Sequence, residues 1–103
     1  IETADILAKR YDVSREDCDA YALECQKRTA HAQSSGYYEH EIVPMDTIMT
    51  VKDKEKGTSE DIKYTVSKDE CNRPQTTLEG LSSLKPVFKP AEEGGTVTAG
   101  NAS

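Results

Sequence analysis

Basic residues are the scarcer sign in this sequence. Thirteen Lys and Arg stand against nineteen Asp and Glu, a formal charge of −6 over 103 residues. Such a chain has no cationic field with which to displace counterions from a nucleic-acid backbone. No apolar run is long enough to cross a bilayer, and the best strand-like stretch is interrupted by Pro44 and Asp46. Also missing are a glycine-rich phosphate loop, a Gly-x-Ser-x-Gly elbow and a His-Glu-x-x-His pair, so the common nucleotide, hydrolase and zinc-protease chemistries have no anchor here. The length excludes two independent cores, and burial of about 65% of the unfolded surface is the ceiling for a chain this size.

Cysteine is sparse and odd in number. Cys18 and Cys25 fall on one helical face, with Cα atoms roughly 10 Å apart at a helical rise, beyond disulfide reach. They read as small buried hydrophobes, and Cys71 stands alone between Glu70 and Asn72. A reducing, intracellular compartment is expected. His31 and His40 have no cysteine or carboxylate at metal-ligand spacing and read as surface or loop histidines. The first residues show no signal-peptide pattern, and the opening Ile1 in place of Met leads to the expectation that the chain continues upstream.

What is present begins with helices. Residues 3–11 predict a short helix capped by Thr3, with Ile6, Leu7 and Tyr11 on one side. Ser14 predicts a second N-cap, with Glu16 and Asp17 in the first turn and Val13 placed to staple against Cys18. Cys18, Tyr21, Ala22, Cys25, Thr29 and Ala32 then form a helical stripe, with Asp19, Glu24, Lys27 and Arg28 on other faces, and Gly36 ends the helix.

The period changes after Tyr37 and Tyr38. Val43, Met45, Thr47, Met49 and Val51 alternate, as do Ile62, Tyr64 and Val66, which predicts a hairpin whose long solvated loop runs from Lys52 to Asp61. A short helix is expected near Thr76 to Leu84, stopped by Pro86. Glu92 to Gly95 reads as a flexible link, and Thr96 onward as a strand entering a turn. A strand with nothing after it suggests a segment excised from a larger protein.

The residues themselves give one modest functional signal. Arg73, beside a proline-fixed turn, is placed either to hold a phosphate or to pair with Asp69 or Glu70. The Gly94-Gly95 and Ala99-Gly100 pairs either let a ligand approach the backbone or serve tight turns and close packing.

Three blocks carry a family resemblance. They are Ser14-Arg-Glu-Asp-Cys-Asp-Ala-Tyr-Ala-Leu-Glu-Cys-Gln-Lys-Arg-Thr29, continued by Ala32-Gln, Gly36-Tyr and Glu41-Ile-Val-Pro44; then Asp69-Glu-Cys-Asn-Arg-Pro74 with Thr76-Thr-Leu-Glu79 and Leu84-Lys-Pro-Val-Phe88; and finally Gly95-Thr-Val-Thr-Ala-Gly-Asn-Ala-Ser103. In order and spacing the chain resembles the thiolases, with the stretch from about Ile48 to Ser67 carrying little of the likeness. The resemblance implies an α/β class, with α+β character for this piece: two main helices, a β-hairpin and a short third helix. It places residues 1–95 as the loop domain over the coenzyme A cleft of an α/β/α enzyme and 96–103 as the start of a strand returning to the core.

The same resemblance implies a parent acyltransferase that cleaves or forms 3-ketoacyl-CoA through a cysteine acyl-enzyme. Coenzyme A and acyl-CoA would be its substrates, with no permanently bound cofactor, and the parent would be a homodimer or homotetramer. Arg73 matches a contact to the adenine–phosphate end of coenzyme A, and Gly80 stands where related enzymes often carry a serine near it. Phe88 matches an aromatic wall, and Ala99 and Ser103 line the pantetheine channel. The family's nucleophilic cysteine precedes this stretch and its histidine and second cysteine follow it, so none of Cys18, Cys25, Cys71, His31 or His40 is assigned a catalytic role. The implied compartment is the cytoplasm in a bacterium, and the mitochondrion or peroxisome in a eukaryote. Two alternatives stay open: a non-enzymatic interaction module offering the hairpin edge to a partner, and a thiolase-like protein that has lost thiolysis.

Overall fold

The computed structural model describes residues 1–102, in the order α1 (Glu2–Arg10), α2 (Arg15–Ser34), β1 (Met45–Asp53), β2 (Thr58–Val66), α3 (Leu78–Ser82) and a 3-10 turn at Ala91–Glu93. Two main helices, one hairpin and a short third helix are what the sequence predicts. The arrangement is drawn out: the radius of gyration is 18.2 Å, against about 13 Å for a compact domain of this length. Among the described residues, Ala8, Leu81 and Val97 form the buried apolar core.

α1 begins one turn-fraction earlier than expected. Ile1, not Thr3, is the N-cap; its hydrocarbon side chain has no acceptor to cap with, and the amides of Ala4 and Asp5 donate to its carbonyl at 3.0 and 3.3 Å. Its apolar side chains stay out: Ile6, Leu7 and Tyr11 are exposed, and the buried positions are Asp5 and Ala8. Asp12, with φ 54°, supplies the left-handed step into α2.

α2 starts as the sequence predicts. The Asp17 amide donates to Ser14 Oγ at 3.0 Å while the Ser14 amide donates back to Asp17 Oδ2 at 3.3 Å, a reciprocal capping box. Val13 and Cys18 line one crevice with Leu7, Ala8 and Val97, and Gly36 follows the C-cap with φ 74°. The inward face, however, departs in part from the expected stripe. Tyr21 and Cys25 are exposed, and Asp19, expected on an outer face, is 1% exposed. The covered face keeps Cys18, Ala22, Thr29 and Ala32 of the expected stripe and adds Arg15, Asp19, Leu23, Gln26, Ala30 and Gln33. Hydrogen bonds hold this helix to its neighbours, and apolar periodicity does not report them.

Two of those bonds fix the segment before α3. Gln26 Oε1 accepts from the Arg73 amide at 2.7 Å, and seven residues on, Gln33 Oε1 accepts from Asn72 Nδ2 at 2.8 Å while its Nε2 donates to the Asp69 carbonyl at 3.1 Å. Residues seven apart share a helix face, so one edge of α2 grips residues 69–73. α3 is then capped by Thr77, whose Oγ1 accepts from the Gly80 amide at 3.1 Å, and it buries Leu81.

The hairpin loop is shorter than expected. The strands pair from Met45↔Val66 out to Asp53↔Thr58, so charged Lys52, Glu60 and Asp61 lie within the ladder. They are tolerated because every strand position is exposed. One face stacks Met45/Val66, Thr47/Tyr64 and Met49/Ile62. The other carries two directly opposed hydroxyl–carboxylate bonds, Thr50 Oγ1 to Asp61 Oδ1 at 2.6 Å and Thr65 Oγ1 to Asp46 Oδ1 at 2.7 Å.

In place of a strand, residues 96–102 make a single antiparallel bridge, Thr98 with Pro86, followed by a turn. Proline lacks the amide a longer ladder would need. The segment is anchored instead by α1: Asp5 Oδ1 accepts from the Thr96 amide at 2.9 Å and from Thr96 Oγ1 at 3.0 Å. The donated Thr96 amide holds the Asp5 carboxyl below its ordinary pKa, against the opposing effect of burial. A depressed folded pKa stabilises above the unfolded value and loses that stabilisation as pH falls through the folded value. The stability advantage of wild type over Asp5→Asn is therefore expected to be full at about pH 7 and to shrink below about pH 4. Parallel unfolding titrations of the two proteins across that range check it.

Candidate functional site

The covered edge of α2, the capped start of α3 and the turn after Thr98 enclose a cleft of about 520 Å³. Gln26 and Arg73 stand on one side, Thr76, Thr77 and Gly80 at the α3 end, and Leu81, Leu84, Ala99 and Gly100 complete it. Arg73, Gly80 and Ala99, three of the five residues expected to form a site, thus share one cleft, Ala99 reaching it from the later turn.

Arg73 is exposed, and its backbone is fixed by Gln26 while its guanidinium makes no hydrogen bond among the described residues. Among the described residues the ion pairs are Arg15–Asp19 and Arg28–Glu24, so the expected alternative of a pair with Asp69 or Glu70 is not formed. A guanidinium on an anchored backbone at the rim of a cleft presents five donors to a planar or tetrahedral anion. At Gly80 a Cβ would meet Thr77 Oγ1 at 3.2 Å, a tight contact, so a serine there requires the capping hydroxyl to give by a few tenths of an ångström. Gly80, Ala99 and Gly100 leave the cleft walls low, which suits a thin unbranched chain more than a bulky ring.

One expected residue is not brought there. Phe88 is 51% exposed in the bend after Pro86 and does not line the cleft. Ser103 lies outside the described residues. Sequence reasoning missed Gln26 and Thr77. Thr77 had a legible signal, a threonine just ahead of Leu78 with Glu79 in the first turn; Gln26 had none, since its role comes only from the fold.

Cys71 lines this cleft, and Cys25 is exposed. Cys18 is partly buried, and desolvation first, then the charges of Asp19 and Asp17, pushes its thiol pKa up. That direction opposes nucleophilic use. A larger hollow of about 780 Å³ lies between the end of α2 and the hairpin base, lined by His31, Tyr38, Glu39, Ile42, Pro44 and Lys68 among others. It contains none of the expected site residues. His31 there stacks edge-on against Tyr37 with ring centroids 6.1 Å apart.

The family model described as the N-terminal domain of thiolase matches residues 2–103. The chain belongs to the thiolase family. It is 52% identical over 101 residues to the rat mitochondrial 3-ketoacyl-CoA thiolase, covering 98% of this chain and 22% of that protein. It is 48% identical to the human peroxisomal 3-ketoacyl-CoA thiolase, with 98% and 22% coverage. The chain thus spans about a fifth of the length of these curated relatives.

Solved thiolase structures agree. The human mitochondrial 3-ketoacyl-CoA thiolase in complex with CoA superposes with a TM-score of 0.76 at 46% identity, over 98% of this chain and 21% of that one. The acetyl-CoA acetyltransferase of Bacillus anthracis gives 0.77 at 38% identity, over 99% and 23%. The open helix–hairpin–helix layout described above is therefore a thiolase segment's own architecture, and the resemblance read from the three sequence blocks is borne out.

Proposed function

We propose that this chain is the coenzyme A-facing segment of a thiolase that cleaves or forms 3-ketoacyl-CoA with acetyl-CoA and coenzyme A. Residues 1–95 act as the loop domain over the cleft, and 96–103 as the return toward the core. The observation that carries this reading is the convergence of Arg73, Gly80 and Ala99 on one cleft. A cation at its rim suits a phosphorylated head, and low walls of glycine and alanine suit a narrow pantetheine arm.

In this reading Arg73 holds the adenine–phosphate end, Thr76, Thr77 and Gln26 offer polar contacts along the rim, and Ala99 borders the arm. The acyl-enzyme cysteine and its histidine partner are supplied by other parts of the parent, and Cys18, Cys25, Cys71, His31 and His40 take no part in the chemistry. The acidic net charge is no obstacle, because charges more than about 8 Å away are largely screened at physiological salt. The mitochondrial and peroxisomal relatives favour a eukaryotic organelle as its setting, and a parent homodimer or homotetramer is part of the same proposal.

The test is made in the full-length enzyme with acetoacetyl-CoA and free coenzyme A. Arg73→Ala is expected to raise the coenzyme A KM by about 5- to 30-fold, which is about 1–2 kcal/mol for a solvent-accessible charge-assisted contact. An unchanged KM overturns the assignment of Arg73.

A further inference from the structure

The two walls of the cleft are tied together behind it by one unbroken polar chain. On the α3 wall, Arg15 Nη2 donates to the carbonyls of both Leu81 and Leu84 at 2.9 Å. Arg15 Nε donates to Asp19 Oδ2 at 2.8 Å, and Asp19 Oδ1 accepts from Asn101 Nδ2 at 3.0 Å. On the opposite wall, Asn101 Oδ1 accepts from the Thr98 amide at 2.8 Å, and its Nδ2 also donates to the Thr96 carbonyl at 2.9 Å. Asp19 and Thr98 are buried at 1% and 0% exposure.

Leu81 and Leu84 on one wall, and Ala99 and Gly100 on the other, are residues that line the cleft. None of Arg15, Asp19 and Asn101 does. The walls are in close contact at their base, since a Cβ on Gly100 would lie 2.5 Å from Leu81 Cδ2 and 2.7 Å from Leu84 Cδ1. The direct contact and the polar brace behind it both bear on the separation of the walls.

We infer that Arg15, Asp19 and Asn101 are positioning residues that set the width of this cleft and so its fit to the pantetheine arm. The inference rests on the reading of the cleft as the coenzyme A site. The chemistry of each member follows from its place. Arg15 must be a guanidinium, because one ammonium cannot serve a carboxylate and two carbonyls in a fixed fork. Asn101 must both donate and accept, which neither aspartate nor alanine does. Asp19 accepts on both carboxyl oxygens, from Arg15 on one side and Asn101 on the other.

Asn101→Ala and Arg15→Lys are made in the full-length enzyme, with Arg73→Ala as the reference. Each is expected to raise the KM for free coenzyme A about tenfold, with a smaller fall in kcat per folded active site. The double variant should raise it by less than the product of the singles, because both act through one brace. A purely structural role would lower the yield of folded enzyme and leave KM where it was. Where Asn101→Ala does not fold, Arg15→Lys, which keeps the charge beside Asp19, is the variant read. A coenzyme A KM unchanged in the brace variants but raised in Arg73→Ala overturns the inference and leaves the cleft assignment standing. A KM unchanged in all three overturns both.

Discussion

Asp19→Ala is expected to cost about 3–5 kcal/mol of local stability, the range for removing one partner of a buried ion pair. The carboxylate is 1% exposed and Arg15 19% exposed, so alanine would leave a largely desolvated guanidinium with its main counter-charge gone. It would also strand Asn101 Nδ2, which donates to Asp19 Oδ1 at 3.0 Å. Asp19→Asn should cost less, since one amide oxygen can still accept from Asn101, yet it leaves Arg15 without an anion. The contrast is Glu24→Ala. Glu24 and Arg28 pair at 2.7 Å with the same spacing of four residues, but their side chains are 48% and 74% exposed. Water competes there, and removal is expected to leave stability nearly unchanged. Hydrogen exchange of the α2 and 96–102 amides in the full-length enzyme measures both. Equal losses from the two substitutions would sink the argument.

That contrast also explains which parts of the fold were legible. Arg15–Asp19 and Glu24–Arg28 look alike in the sequence, each a helical pair of opposite charges four residues apart. Which pair is covered depends on where residues 81–84 and 96–101 arrive, and no local pattern carries that. The polar part of the inward face of α2 was missed for the same reason, although Cys18, Ala22, Thr29 and Ala32 of the expected stripe are covered. Apolar periodicity locates a helix that packs through hydrophobic contact, whereas this one grips its neighbours through Arg15, Asp19, Gln26 and Gln33. Where the local chemistry is self-contained, the reading succeeds: the Ser14–Asp17 capping box involves only residues three apart.

The hairpin shows a further limit. Alternation placed Met45, Thr47 and Met49 on one side of the first strand and Ile62, Tyr64 and Val66 on one side of the second, but the charges of Lys52, Glu60 and Asp61 were read as loop. In a two-stranded ribbon exposed on both faces a charge costs little, so polarity does not mark the strand end. The site divides in a similar way. Arg73, Gly80 and Ala99 came from the family likeness and fall in one cleft, while Gln26 became visible only when its side chain was seen bonded to the Arg73 amide.

Gly95→Ala is expected to be the most damaging single-methyl change in the chain, at about 3 kcal/mol, the upper end for overpacking. A Cβ there would overlap the Lys89 carbonyl oxygen, lie 2.7 Å from the Lys89 carbonyl carbon and 3.0 Å from the Pro90 oxygen. All three are backbone atoms, and Pro90 holds that backbone stiff, so no rotamer change relieves the overlap. The Gly95 amide donates to the Pro90 carbonyl at 3.0 Å, so the two strands of chain cannot separate without losing that bond. Displacing Gly95 also moves Thr96, and with it both hydrogen bonds to buried Asp5. Of the two roles open to this glycine from sequence, ligand approach or close packing, the geometry selects packing. Gly100→Ala is the control. Its Cβ would meet Leu81 Cδ2 at 2.5 Å and Leu84 Cδ1 at 2.7 Å, which are side-chain ends able to rotate aside. Its expected cost is smaller, about 1–2 kcal/mol. Thermal unfolding of the two variants in the full-length enzyme, with exchange at the Thr96 amide, ranks them. A Gly95→Ala protein as stable as Gly100→Ala would mean that the 89–95 turn yields as easily as a leucine side chain, and the anchoring of residues 96–102 would then have to come from Asp5 and Asn101 alone.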